Sequence, residues 1–214
     1  YTPDTMTINK STSDFTLTEG PWKNRTLYEL YSQAYTPYEW HKEIFDFAKH
    51  IGITVFSSPF DESAVDLLKS LNSPAYKIAS FEIIDLPLIS YIAKTKKPIL
   101  MSTGMASEKE VGEAIETAKS SGCKKLGIFH CISSYPTPIE EANLRAILKL
   151  KKEFGIHVGL SDHTLGNTAS IVAISLGATI IEKHFTLSRA DGGVDSAFSS
   201  EPKEMKRLVG EINS

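Results

Sequence analysis

Six apolar runs rich in Val and Ile recur along the chain, at Ile53–Ser58, Ala75–Ser80, Pro98–Thr103, Lys125–Cys131, His157–Ser161 and Thr179–His184. The stretches between them space apolar residues at the 3.6-residue period of amphipathic helices, so the pattern predicts six βα units. Two helix starts carry the Ser/Thr-x-x-Glu signature of a capping box, Thr36-Pro37-Tyr38-Glu39 and Ser107-Glu108-Lys109-Glu110. In the first, proline takes the opening helical position, where its missing N–H costs nothing. Near-continuous apolar strands joined through helices predict a parallel sheet covered on both faces, and hence an α/β fold.

The strand ends choose between an open sheet and a closed barrel. An open dinucleotide-binding sheet carries a G-x-G-x-x-G turn after an early strand, and none occurs here. Instead every run ends in polar or reactive residues: Ser57 and Ser58, Lys77 and Ser80, Ser102 and Thr103, His130 with Cys131 and Ser133, Ser161 with His163, and Lys183 with His184. A site fed by all strands predicts a TIM (β/α)8 barrel with its chemistry on the C-terminal face. Residues 1–35 read as loop and helix, so residues 1–214 are expected to form an incomplete barrel containing strands 3–8, with the first two strands upstream. The chain opens on Tyr1 rather than methionine and shows no signal-peptide pattern, which reads as a piece of something longer.

A net charge of −3, with 41% hydrophobic and 23% charged residues among 214, describes a globular chain able to bury one sizeable core. No basic tract points to nucleic acid, and no apolar run is long enough to span a bilayer. Cys123 and Cys131 are too few for a disulfide framework, which predicts a reducing, cytoplasmic compartment.

His163 and His184 end consecutive strands at one level, an arrangement that predicts a shared metal ion. Asp162 and Glu182 are expected to alternate away from them, each either orienting a histidine, supplying charge or serving as a metal ligand. His130 and Cys131 point to opposite faces by strand alternation and are left out of the metal site. His41, His50 and His157 read as structural or solvated. Lys77 lies inside a strand, where a lysine either snorkels to solvent from an edge, binds an anion, or forms a Schiff base. Regular alternation puts Lys77, Ala79 and Phe81 on one face and Tyr76, Ile78 and Ser80 on the other, with Glu82 at the exit. Ser57, Ser58, Ser80, Ser102, Thr103 and Ser161 together form an oxyanion pocket suited to phosphate, although each alone could cap a helix, Ser58 above all. Tyr135 sits on a Pro-flanked loop, Ser133 through Pro138, where its ring either closes over substrate or packs.

Phe56 through Asp61, Tyr76 through Glu82, Ser102-Thr103-Gly104-Met105, Cys131 through Pro138, Gly159 through Thr164 and Ile181 through Thr186 together resemble the sialic acid synthase family, in the family's order. The resemblance implies condensation of phosphoenolpyruvate with an acetamido sugar to a nonulosonic acid, in a (β/α)8 barrel followed by a small antifreeze-protein-like domain. That domain, absent from this chain, reaches the partner's site in a swapped homodimer. Position by position, the resemblance implies His163 and His184 as ligands of a divalent metal, manganese or magnesium. Lys77, Ser58, Ser80, Ser102 and Ser161 fall at positions holding phosphoenolpyruvate, and Glu82 and Tyr135 at positions facing the reacting centre and sugar.

Ser133 stands where the sialic acid branch carries an asparagine that contacts N-acetylmannosamine, so it is expected to bind a different sugar. Tyr1 through Thr7, Trp22 through Trp40 and Arg189 through Ser199 resemble the pseudaminic acid branch, whose substrate is 2,4-diacetamido-2,4,6-trideoxy-altrose. The alternatives are an N-acetylneuraminate or legionaminic acid synthase, an aldolase using Lys77 or Lys183 as Schiff base, a deoxy-octulosonate type condensation, and a non-catalytic barrel fragment. With two strands missing, the 214-residue piece is expected to be inactive alone.

Overall fold

Five of the six apolar runs form strands in the computed structural model, which describes residues 1–214. They are β1 (Tyr76–Ile78), β2 (Ile99–Ser102), β3 (Leu126–Cys131), β4 (His157–Asp162) and β5 (Ile181–Lys183), hydrogen-bonded in chain order in one sheet. The helices are α1 (Pro3–Met6), α2 (Leu27–Ala34), α3 (Trp40–Ile51), α4 (Glu62–Ser70), α5 (Leu86–Ala93), α6 (Glu108–Ser120), α7 (Ala146–Phe154), α8 (Thr168–Ser175) and α9 (Pro202–Ile212). From β1 onward strand and helix alternate, as the periodicity predicts for the α/β class.

The chain divides into two compact units. One comprises Tyr1–Ile78, Asp85–Ile99 and Ala114–Lys125; the other comprises Ala79–Ile84, Leu100–Glu113 and Leu126–Ser214. In the first, Leu68 of α4, Tyr76 and Ile78 of β1, Ile89 and Ile92 of α5 and Ile99 of β2 are fully buried or nearly so. Each such side chain contributes about 1.5–3 kcal/mol by leaving water. The backbone N–H of Tyr76 donates to Pro98 and that of Ile99 to Lys125, which starts the ladder of this unit.

In the second unit β3 pairs with β4, and β4 with β5, all in parallel. Met101, Ile128, Phe129, Ile147, Val158 and Leu160 form its core. β3 and β4 are buried almost throughout, which explains why their sequences are apolar on both faces rather than alternating. Gly159 answers to a close approach: a Cβ there would lie 2.5 Å from the Ile180 carbonyl oxygen and 2.7 Å from the Phe129 ring.

Three expectations change. Ile53–Ser58 is not a strand. It makes one parallel bridge, Ser57 to Tyr76, and Ile53 and Phe56 stay exposed, so the run has apolar character without a ladder to hold it extended. Thr36 does not cap a helix. Trp40 and His41 donate to Pro37 and Tyr38 three residues back, a tight turn that delays the start of α3 until Glu39 serves as its cap residue. Regular alternation after Lys77 ends at Ile78, where the chain turns into the 3-10 segment Phe81–Ile84 that carries Glu82. The Ser107 box forms as predicted, with Glu110 accepting from the Ser107 backbone at 2.7 Å and the Ser107 hydroxyl accepting from the Glu110 backbone at 3.3 Å. No helix is long and apolar enough to cross a membrane.

Candidate functional site

Parallel register places Ser161 opposite Glu182 and Asp162 opposite Lys183, so the next residues, His163 and His184, leave their strands side by side. Their rings lie 5.2 Å apart at 63°. Backbone bonds pin both: Thr137 N–H donates to the His163 carbonyl at 3.0 Å, and Ser200 N–H to the His184 carbonyl at 2.8 Å. Nδ1 of His163 lies 2.8 Å from the Ile132 carbonyl oxygen. A carbonyl only accepts, so the proton sits on Nδ1 and the lone pair on Nε2. Burial pushes the His163 pKa below the ordinary imidazole value and the neighbouring His184 adds to this, against the opposing effect of the Ile132 bond, which keeps the ring neutral at neutral pH. Nδ1 of His184 lies 3.4 Å from Oδ2 of Asp195.

The remaining groups converge on these rings. The Ser161 hydroxyl donates to Glu182 Oε1 at 2.7 Å and lies 3.5 Å from His163 Nε2. Glu182, two residues before His184, therefore shares its face, contrary to the expectation that it alternates away; of the two carboxylates only Asp162 does so. Tyr135 packs its ring 4.3 Å from that of His163 and 5.5 Å from that of Phe198, which in turn is 5.1 Å from His184. Four rings thus form a wall with apolar faces and two imidazole edges. In the same unit, the Ser80 hydroxyl accepts from Gly104 N–H at 3.2 Å and donates to the Cys131 sulfur at 3.5 Å. The hydroxyls of Ser102 and Ser133 are buried without a hydrogen-bond partner. Buried hydroxyls are normally satisfied, so two unpaired ones in one unit mark where a polar ligand would complete them.

The donor set fits a divalent metal. One imidazole is buried and neutral, with its far nitrogen fixed by a carbonyl and the other faced by a carboxylate, the arrangement of metal-binding histidines. No group of three or more His, Cys, Asp or Glu side chains is placed to close a site. Two protein nitrogens are one short of the three protein ligands usual at a catalytic metal, so an ion held here would be completed by water or substrate oxygens.

Of the residues expected at the site, Ser80, Glu82, Ser102, Ser133, Tyr135, Ser161, His163 and His184 belong to the second unit, Glu82 on its 3-10 segment. Lys77 and Ser58 belong to the first. Lys77 is buried on β1, which sets aside the snorkelling alternative. Ser58 does not cap α4, because the Asp61 carboxylate accepts from Ala64 N–H at 2.7 Å and fills that role. Lys183 is no free amine for a Schiff base: it donates to Asp162 at 2.9 Å and to the Thr164 carbonyl at 2.7 Å. His130 hydrogen-bonds the Ala142 carbonyl at 2.8 Å, apart from the imidazole pair. Sequence reading did not single out Gly104 or Asp195, whose roles depend on through-space neighbours; the Gly-rich run before Asp195 was the available signal.

A family model described as the NeuB family matches residues 1–214. A pseudaminic acid synthase of Helicobacter pylori is 46% identical over 209 residues, covering 98% of this chain and 62% of that protein. One from Campylobacter jejuni is 47% identical over the same share of this chain and 61% of its own length. Among solved structures, an N-acetylneuraminic acid (sialic acid) synthetase of Leptospira borgpetersenii in complex with citrate superposes with a TM-score of 0.83 at 33% identity, covering 87% of this chain and 65% of that one. The chain therefore spans about three-fifths of the length of the curated relatives it matches. With its strand-end histidines, its hydroxyl cluster and a family match that runs from the first residue to the last, this chain belongs to the NeuB family.

Proposed function

We propose that the protein containing this chain condenses phosphoenolpyruvate with 2,4-diacetamido-2,4,6-trideoxy-altrose to give pseudaminic acid and phosphate, and that the five strands are part of a (β/α)8 barrel. The observation that carries the reading is the level pair His163 and His184, 5.2 Å apart, in the unit that also holds the unpaired buried hydroxyls of Ser102 and Ser133. Identity of 46–47% to pseudaminic acid synthases supports the choice of sugar.

In this reaction C3 of phosphoenolpyruvate attacks the aldehyde carbon of the open-chain sugar, water adds at C2, and phosphate leaves with C–O cleavage. A divalent ion, manganese or magnesium, held by His163 and His184 would polarise the aldehyde oxygen. The unpaired hydroxyls of Ser102 and Ser133 offer preorganised donors to the anionic groups of phosphoenolpyruvate, the kind of fixed dipole that stabilises developing charge most when water is excluded, while Ser80 is held by the Gly104 N–H. Glu182 holds the Ser161 proton at Oε1, leaving the serine lone pairs to accept and its position fixed. Tyr135 and Phe198 supply apolar surface against which a 6-deoxy methyl group loses water. Lys77 is the assigned phosphate cation and Glu82 the assigned group near the reacting centre, both on the family resemblance.

His163→Ala and His184→Ala test this in the longest natural reading frame that contains the chain. Each is expected to abolish turnover and reduce bound manganese or magnesium. Full activity after exhaustive chelation would refute the metal role.

A further inference from the structure

We infer that the buried pair Asp162–Lys183 is a positioning device that sets the separation and tautomer of the two imidazoles. Asp162 and Lys183 are 0% and 3% exposed at the side chain, and their charged atoms meet at 2.9 Å. Every acceptor direction of the carboxylate is used. Oδ1 accepts the Thr164 N–H at 2.9 Å and the Thr164 hydroxyl at 2.7 Å; Oδ2 accepts the Ser170 hydroxyl at 2.6 Å and Lys183 Nζ. Lys183 also donates to the Thr164 carbonyl at 2.7 Å. One cluster therefore ties the end of β4, the turn after it, the first turn of α8 and the end of β5.

Its place in the register gives it a function. Asp162 and Lys183 are paired residues of the parallel ladder, and they alternate with Ser161 and His163 on one strand and Glu182 and His184 on the other. Successive strand residues point to opposite faces, so the ion pair lies behind the site while the four alternating residues face it. The last two ladder pairs before the histidines, Ser161–Glu182 on the site face and Asp162–Lys183 behind it, are thus locked by side chains as well as by backbone, and the second is the one that is a fully buried ion pair. A buried pair of this kind adds little net stability over an apolar pair of equal volume, whereas it fixes geometry by direction-specific bonds. Holding one strand end against the other keeps His163 Nδ1 on the Ile132 carbonyl and the centroids of the two imidazole rings 5.2 Å apart. The link to metal rests on the ligand reading of the histidines, while the link to imidazole geometry does not.

The test uses the double variant Asp162→Asn with Lys183→Met, which removes both charges together and avoids a lone buried charge. It is made in the longest natural reading frame containing the chain. In the metal-free protein, side-chain 15N NMR of the parent is expected to show His163 protonated at Nδ1; in the folded double variant that tautomer is lost or mixed. Manganese affinity, titrated by electron paramagnetic resonance of free Mn(II), is expected to weaken about 10- to 100-fold, the usual effect of removing a residue that orients a ligand. A cooperatively folded double variant with the parent's imidazole spectrum overturns the proposal. If the double variant does not fold, Ser170→Ala decides, because it removes one hydrogen bond and keeps both charges: a smaller change in the same direction supports the proposal, and an unchanged spectrum overturns it. Should the parent itself bind no manganese, the ligand reading fails, and the metal-free spectra still decide the positioning role.

Discussion

Gly104 and Ser133 approach so closely that a Cβ on Gly104 would overlap the Ser133 hydroxyl, and would lie 2.7 Å from the Ser80 hydroxyl as well. Glycine is therefore favoured by space rather than by backbone angle. Gly104→Ala is expected to fold, because serine hydroxyls can rotate away, at an overpacking cost of about 1–3 kcal/mol. The displaced hydroxyls and the strained Gly104 N–H bond to Ser80 are expected to raise KM for phosphoenolpyruvate about tenfold or more, the loss of one hydrogen bond to a charged group. Steady-state kinetics alongside urea unfolding check this; an unchanged KM would remove the cluster from phosphoenolpyruvate binding.

Lys77 carries the same question for charge. Lys77→Met is expected to raise the requirement for phosphoenolpyruvate far more than that for sugar, since a lysine facing phosphate contributes little to sugar binding. Equal effects on both substrates would place its role elsewhere.

Acid should weaken the fold through His130. The ring is buried on the Ala142 carbonyl, and burial lowers its pKa from the ordinary 6.5, so the folded state keeps it neutral where the unfolded chain takes up a proton. More protons bound in the unfolded state mean that stability is complete above pH 6.5 and is lost as pH falls below it towards the lowered folded-state pKa. His163 is shifted in the same direction and adds to the loss. Urea midpoints at about pH 7.5 and about pH 5.5 should therefore differ, and His130→Gln should shrink the difference without abolishing it. An undiminished acid loss in the variant would contradict the assignment.

One helix face is expected to make the 214-residue chain self-associate. Trp40, Ile44, Phe47 and Ile51 of α3 are all exposed at the spacing of a single helical stripe. Sedimentation velocity should show mass rising with concentration, and the double variant Trp40→Glu, Phe47→Glu should remain monomeric. A monomeric parent at high concentration would show that the stripe is tolerated in water.

The parts legible in the sequence are those written in local pattern. Val- and Ile-rich runs located five strands, and the Ser107 box located the start of α6. The levelling of His163 with His184 followed from strand ends alone. Ile53–Ser58 misled because apolar composition reports burial tendency and not ladder partners, and Thr36 misled because a competing turn through Pro37 and Tyr38 satisfies the same backbone groups. Asp162 and Lys183 could be read as charges near a site, yet their mutual burial depends on register and on Ser170 of the next helix. Gly104 stands in the Ser102-Thr103-Gly104-Met105 motif, yet its own role was not legible there, since it is set by two serines that lie 24 and 29 residues away along the chain.

The central claim is the choice of substrate, and one assay decides it. The full-length protein is supplied with manganese and phosphoenolpyruvate, and phosphate release is followed with 2,4-diacetamido-2,4,6-trideoxy-altrose and, separately, with N-acetylmannosamine. One methyl contact discriminates by only about 1–3 kcal/mol, so a large preference requires polar contacts to the 4-acetamido group as well. The expected result is a much higher kcat/KM for the diacetamido sugar, with pseudaminic acid as product. A higher kcat/KM for N-acetylmannosamine would contradict the account and make the protein a sialic acid synthase.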